Sequence, residues 1–127
     1  LLYQSLRALE SPHIPKELVK VVFELKAITI NGEGPEVFSC MKCHDKNLQF
    51  FSVQRGGMFC NKCVDGVPAM HVLDSTRYTM QYVISTPVEK LYSFTVSQEV
   101  LEELKTIMQA YMAHYVHHEF KSLHIFG

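Results

Sequence analysis

Cys40-Met41-Lys42-Cys43 and Cys60-Asn61-Lys62-Cys63 are two C-x-x-C pairs sixteen residues apart, and their reading decides the fold. Two thiolates held two residues apart can grip one face of a tetrahedral zinc ion. A hairpin of about this length can carry a second pair to the opposite face. The spacer Leu48–Phe59 reads as that hairpin, turning at Arg55-Gly56-Gly57. A single zinc ion on Cys40, Cys43, Cys60 and Cys63 would be structural, because protein fills all four positions and none is left for water or substrate. It would hold together a loop-rich stretch too short to bury a core of its own. Two local disulfides would instead need an oxidising compartment, and no secretory signal is visible in these residues. A redox C-x-x-C opens a helix in a βαβ unit, a setting neither pair has. His44 adjoins the first pair and is the one substitute ligand on offer. Its position suits a solvent-facing knuckle residue.

Around this module the chain reads as helical. Leu2, Leu6 and Leu9 share one face of an amphipathic helix, and a chain that opens inside a helix reads as a fragment. Ser11-Pro12-His13-Ile14-Pro15 breaks it, and a second helix starts with proline suited to its first turn. From Lys16 to Ile30, Leu18, Val22, Leu25 and Ile28 form a stripe that Val19, Phe23 and Ile30 widen, so burial on more than one side is expected. Asn31-Gly32-Glu33-Gly34-Pro35 ends it. After the module, Val67-Pro68 leads into a helix over about Ser75–Ile84, capped by Asp74 or Ser75 and stopped at Thr86-Pro87. A short helix or turn through Glu89–Tyr92 is possible. The last helix has Ser97 as N-cap, a Val96/Leu101 staple, and Glu99, Glu102 and Glu103 near its positive end. Val100/Leu101, Leu104, Ile107/Met108, Tyr111/Met112 and Tyr115 carry its stripe, with an end expected near Phe120. The fold class is therefore mainly α: a helical bundle with an inserted four-cysteine zinc-binding β-hairpin, a zinc-ribbon-like module. Its segments are 1–36 and 67–127 for the helices and 37–66 for the module, together one domain.

Composition narrows the function classes. Apolar residues make up 47% of the 127 residues, charged residues 20%, and the net charge is −1. Those are ordinary values for a folded protein. No global basic field advertises nucleic acid, so any such contact must be local. No run approaches the 18 apolar residues of a membrane span. The local basic candidate is Lys42, Lys46, Arg55 and Lys62, four cations within the zinc module, which would form a phosphate-contacting patch only if they converge. Otherwise they simply keep exposed turns soluble.

His114 and His118 are i, i+4 neighbours, with His117 beside them, but no carboxylate pair or water-activating group supports catalysis there. Histidines in the last turns also suit the negative end of a helix dipole. The stripe Met108, Tyr111, Met112 and Tyr115 suits a buried face better than a partner groove. Gly32-Glu33-Gly34 lacks the strand and helix of a nucleotide fingerprint. No catalytic dyad is visible, and the chain is not expected to be an enzyme.

Three motifs in order resemble the C-terminal domain of the bacterial RecO family. Phe23-Glu24-Leu25 leads through Ile28 to Gly32, Pro35-Glu36-Val37 and the Cys40/Cys43 pair. Phe51-Ser52, Arg55-Gly56-Gly57 and Met58-Phe59-Cys60 follow, then Cys63. Lys121-Ser122 with Phe126 closes the pattern, although Leu123-His124 stands where basic residues often follow in the family. The family's N-terminal oligonucleotide-binding (OB-fold) barrel does not appear in these residues.

The resemblance implies a recombination mediator in the bacterial cytoplasm, associated with the nucleoid, and not an enzyme. Its implied partners are single-stranded DNA, RecR and the single-strand-binding protein, whose acidic C-terminal tail docks on the helical domain. Strand annealing and recombinase loading are the implied activities. The alternative is a zinc-ribbon accessory domain of transcription or translation that binds nucleic acid directly. A convergent basic surface around the zinc would favour the alternative. An apolar groove rimmed by basic residues on the helices would favour the mediator. A metal-dependent hydrolase would need an open coordination position.

Overall fold

The computed structural model describes the backbone of residues 1–119 and the side chains of residues 1–115. In chain order the elements are α1 (Leu2–Glu10), α2 (Lys16–Ile30), β1 (Phe50–Ser52), β2 (Gly57–Phe59), β3 (Met70–His71), α3 (Asp74–Ser85), one 3-10 turn (Val88–Lys90) and α4 (Gln98–Glu119). The expected class holds: helices dominate, and a small antiparallel sheet sits between α2 and α3 in sequence. The sheet order is β2-β1-β3, so the hairpin gains a third strand that the sequence reading did not include. Phe50 faces Phe59 on one side and His71 on the other.

α2 is the central helix and packs against α1, α3 and α4. Leu18, Val22, Leu25 and Ile28 are all buried, as their spacing demands, and Val19 and Val21 extend burial to a second side. Its end is a Schellman closure: the Glu33 N–H donates to the Ile28 carbonyl at 2.8 Å and Gly32 to Thr29 at 3.0 Å. Pro15 occupies the N-cap itself, one position before the first turn.

α4 begins as expected. The Ser97 hydroxyl accepts a hydrogen bond from the Val100 N–H at 3.2 Å. Leu104, Ile107, Met108 and Tyr111 are buried, and Met112 and Tyr115 pack half-buried against the same core. The Met/Tyr stripe is thus core over this stretch. Phe120 lies outside the described residues.

α3 departs from the expected start. Its N-cap is Leu73, with no side-chain cap hydrogen bond from Asp74 or Ser75. Glu103 of α4 reaches across and accepts from the Leu73 N–H at 2.8 Å, so a tertiary carboxylate does part of the work of a local cap. The other end is held by Lys26. Its ammonium, on the buried face of α2, donates to the carbonyls of Ile84 (3.1 Å) and Thr86 (2.7 Å). Burial pulls this lysine below the ordinary lysine pKa. The charge sits where the negative end of α3 and its unpaired carbonyls need a donor.

α1 turns its small residues inward. Ser5 and Ala8 are buried, and Ser5 shares a hydrogen bond with the Tyr92 hydroxyl. The expected leucine face, Leu2, Leu6 and Leu9, stays 59%, 52% and 40% exposed. No helix among the described residues is long and apolar enough to cross a membrane.

Replacing Lys26 with methionine strands two carbonyls beside a buried chain. We expect a loss of about 1–3 kcal/mol in urea unfolding. The exposed change Glu89→Ala should shift the midpoint by less than about 0.5 kcal/mol.

Candidate metal centre

The two knuckles are built by backbone geometry on either side of the hairpin. In the first, the Cys40 N–H donates to the Asp45 carbonyl at 2.8 Å and the His44 N–H returns to the Cys40 carbonyl at 2.9 Å. This tight loop places His44 at φ +65° and leaves its side chain exposed, as expected of a knuckle residue. In the second, the Cys63 N–H donates to the Cys60 carbonyl at 3.2 Å.

The hairpin brings the two together. Its turn passes through Gly56 at φ +74°, a conformation that side chains resist. Gly57 follows with no room for a Cβ, which would meet the Glu36 carbonyl oxygen at 2.9 Å and the side chain of Met41. That close approach lets Glu36 pair alongside β2, with Met58 N–H donating to the Glu36 carbonyl at 2.9 Å and Met41 N–H to Met58 at 3.0 Å. The first knuckle is thereby laid against the strand that ends in Cys60.

As a result, one sulfur from each of Cys40, Cys43, Cys60 and Cys63 lies within 4.8 Å of the other three, and this set could hold a metal ion. The Cys43 and Cys60 sulfurs are 3.6 Å apart. Four sulfurs placed about 2.3 Å from a central zinc ion would be about 3.8 Å from one another. The donor set therefore fits a tetrathiolate ion. Cys40 and Cys60 are buried, Cys63 is half-exposed and Cys43 is exposed.

The thiols are electrostatically unequal. Burial pushes the Cys40 thiol up, but backbone amides of Cys43, Cys60 and Lys42 outweigh it and bring it down to about 6. Cys63 is pushed up to about 12 by its hydrogen bond with Cys60, by desolvation, and by the negative Cys40 sulfur. Cys43 is favoured as a thiolate by the Asp45 backbone, yet desolvation and the Cys60 and Cys40 sulfurs raise it on balance. Several thiolates at this spacing repel one another, and a central dication removes that repulsion.

The cluster is braced from the helices. Arg77 and Gln81 lie one turn apart on α3 and donate to the carbonyls of Leu48 (2.9 Å) and Val37 (2.8 Å), at the two approaches to the module. The Tyr111 hydroxyl of α4 donates to the Glu33 carbonyl at 2.9 Å, and its ring packs on buried Phe51, centroids 6.1 Å apart.

The four cations are all exposed. Lys42 and Lys62 occupy the tips of the facing knuckles and Lys46 adjoins the first. Arg55 sits in the hairpin turn, beyond the far end of β2 and on the order of 10 Å along the strand from Cys60. His114 is half-buried on α4, while the side chains of His117 and His118, and Lys121-Ser122 with Phe126, lie outside the described residues.

One feature was not assembled from the sequence. The exposed leucines of α1 and the Val19/Phe23 side of α2 line a groove of about 300 Å³, with Lys16, Lys20 and Glu24 also on its walls. The leucine spacing gave the face, but not the helix opposite it.

The family model described as "Recombination protein O C terminal" matches residues 1–124. The chain belongs to the RecO C-terminal family. Curated relatives named DNA repair protein RecO include one from Acetivibrio thermocellus, 32% identical over 101 residues (77% of this chain, 40% of the relative). One from a Thermoanaerobacter species is 32% identical over 126 residues, 95% of this chain and 50% of the relative. One from Halalkalibacterium halodurans is 25% identical over 127 residues, 98% of this chain and 48% of the relative. The chain thus spans about half the length of the curated relatives it matches. No solved structure matches it.

Because Cys43 and Cys63 must lose protons on metal uptake, apparent zinc affinity should rise by at least about 100-fold per pH unit near neutrality. It should fall more steeply below about pH 6, where Cys40 also protonates. Competition with a chromophoric chelator across pH 5.5–8 measures this, and a flat profile would contradict a thiolate site.

Proposed function

We propose that this chain is the partner-docking, zinc-stabilised part of a DNA repair and recombination mediator. The observation that carries the reading is the family match over residues 1–124. Zinc is the proposed ion, held by Cys40, Cys43, Cys60 and Cys63. Four sulfur donors in a closed shell suit zinc and leave no position for a substrate. The ion would therefore stabilise residues 37–66 and perform no chemistry. Nothing in the proposal requires the chain to be an enzyme, and segments 1–36, 37–66 and 67–127 act as one unit in it.

In this reading the groove between α1 and α2 receives the acidic C-terminal tail of the single-strand-binding protein. Leu2, Leu6, Leu9, Val19 and Phe23 supply an apolar floor, and Lys16 and Lys20 supply positive charge at its edge. That combination suits an acidic peptide with an apolar end. Burial raises the pKa of Glu24 on the same wall, with Lys20 opposing. Single-stranded DNA would meet Lys42, Lys46, Arg55 and Lys62 on the zinc module. RecR, strand annealing and recombinase loading belong to the whole protein in this account, in the bacterial cytoplasm at the nucleoid.

The alternative is a zinc-ribbon accessory domain in transcription or translation, which a convergent basic surface around the zinc would favour.

Anisotropy of a labelled acidic peptide ending in apolar residues tests the groove. Leu6→Asp with Lys20→Glu should weaken binding by about tenfold or more, corresponding to about 1.4 kcal/mol. Both side chains are exposed, so the fold should survive. Unchanged affinity in the folded double variant would remove the groove from the account. A second titration with labelled single-stranded DNA, comparing Lys42→Gln/Lys46→Gln/Lys62→Gln with the parent at two salt concentrations, should show a lower affinity and a shallower salt slope.

A further inference from the structure

The four sulfurs differ in access as well as charge. Cys40 and Cys60 are 0% and 1% exposed, while Cys43 stands in the solvent on the first knuckle. Its sulfur nevertheless lies 3.6 Å from that of Cys60, on the other knuckle. An exposed sulfur beside a buried second one is the arrangement of an oxidised and a resolving cysteine. Cys40, the other cysteine of the first knuckle, is fully buried and closed to a reagent in solution.

We propose that Cys43 is a site of oxidative modification and Cys60 its resolving partner, so that a peroxide turns the centre into a cross-knuckle disulfide and releases its metal. The metal release rests on reading the cluster as a metal site; the sulfur pairing does not. A ligated thiol is already a thiolate. The Cys43 sulfur attacks the O–O bond of hydrogen peroxide and is oxidised by two electrons to a sulfenic acid. Hydroxide leaves and takes a proton from solvent. The Cys60 sulfur then attacks the sulfenic sulfur, the S–S bond forms, and a second hydroxide leaves to become water. Two thiols and one peroxide thus give one disulfide and two waters.

Cys40 and Cys63 remain as two thiols, too few to close a tetrahedral shell, and the ion departs. The new bond ties the first knuckle to the end of β2, so the hairpin stays closed. Thiol reductants reverse the step.

The sequence makes the test unusually direct. Trypsin cleaves after Lys42, Lys46, Arg55 and Lys62, placing each cysteine on its own peptide. The zinc-loaded chain is treated with about one equivalent of hydrogen peroxide, alkylated, digested and mapped, while a chromophoric chelator follows released zinc. The expected first product links peptide 43–46 to peptide 56–62, with one ion released per disulfide, and both changes reverse with reductant. A first disulfide within either C-x-x-C pair, between Cys40 and Cys63, or no disulfide at all would overturn the proposal. Retention of zinc in the Cys43–Cys60 product would overturn its release step. Zinc content before oxidation tests the metal reading separately. The metal-free chain is mapped in the same way, so the pairing is read in either case.

Discussion

Four cysteine sulfurs drawn into one shell less than 5 Å across are the constraint on which the rest of this structure depends. Residues 37–66 contain only two three-residue strands, far too little apolar burial to fix two loops by packing alone. What the module has instead is a small buried patch, Val37, Leu48, Phe51 and Met58, continuous with the helical core. Packing fixes where the module sits, and the sulfur shell fixes how its two knuckles meet. Repulsion among thiolates opposes that meeting, and a bound cation would relieve it.

The helices are arranged to hold this module at its exits. Gln81 and Arg77 pin the segments entering the first knuckle and the hairpin, and Tyr111 ties the close of α2 to α4 beside the hairpin turn. The Gly56 backbone lies against the Tyr111 hydroxyl, the nearest atom to where a Cβ would stand. Distortion of the module therefore reaches α3 and α4 through polar struts anchored in a packed core. The α1–α2 groove lies on the outer side of α2 and is built from different residues. This separation is consistent with a division of labour in which the metal stabilises and the helices dock.

Much of this was legible in the sequence because the signals were local. The apolar period of α2 and α4, the Ser97 cap, the Gly32 closure and the cysteine spacing each follow from residues within a turn or two of one another. What was not legible depended on distant partners. β3 has two residues, too short to show alternation, and exists because β1 offers an open edge to Met70 and His71. The start of α3 moved to Leu73 because Glu103, thirty residues away, accepts its N–H. Lys26 carries no local signal for burial, and only the end of α3 gives it a reason to be buried. In α1 the amphipathic pattern put Leu2, Leu6 and Leu9 on one face without saying what that face meets. Ser5 and Ala8 face inward, and Ser5 bonds Tyr92. The cysteine cluster was legible from spacing alone, because each pair is local and one hairpin joins them.

The central claim is a closed, all-sulfur shell on Cys40, Cys43, Cys60 and Cys63. X-ray absorption at the zinc edge, on protein with its metal content determined, tests it most directly. The account predicts one zinc ion per chain with four sulfur neighbours at about 2.3 Å and no lighter scatterer in the first shell. A shell containing nitrogen or oxygen, or folded protein that takes up no metal, would contradict it.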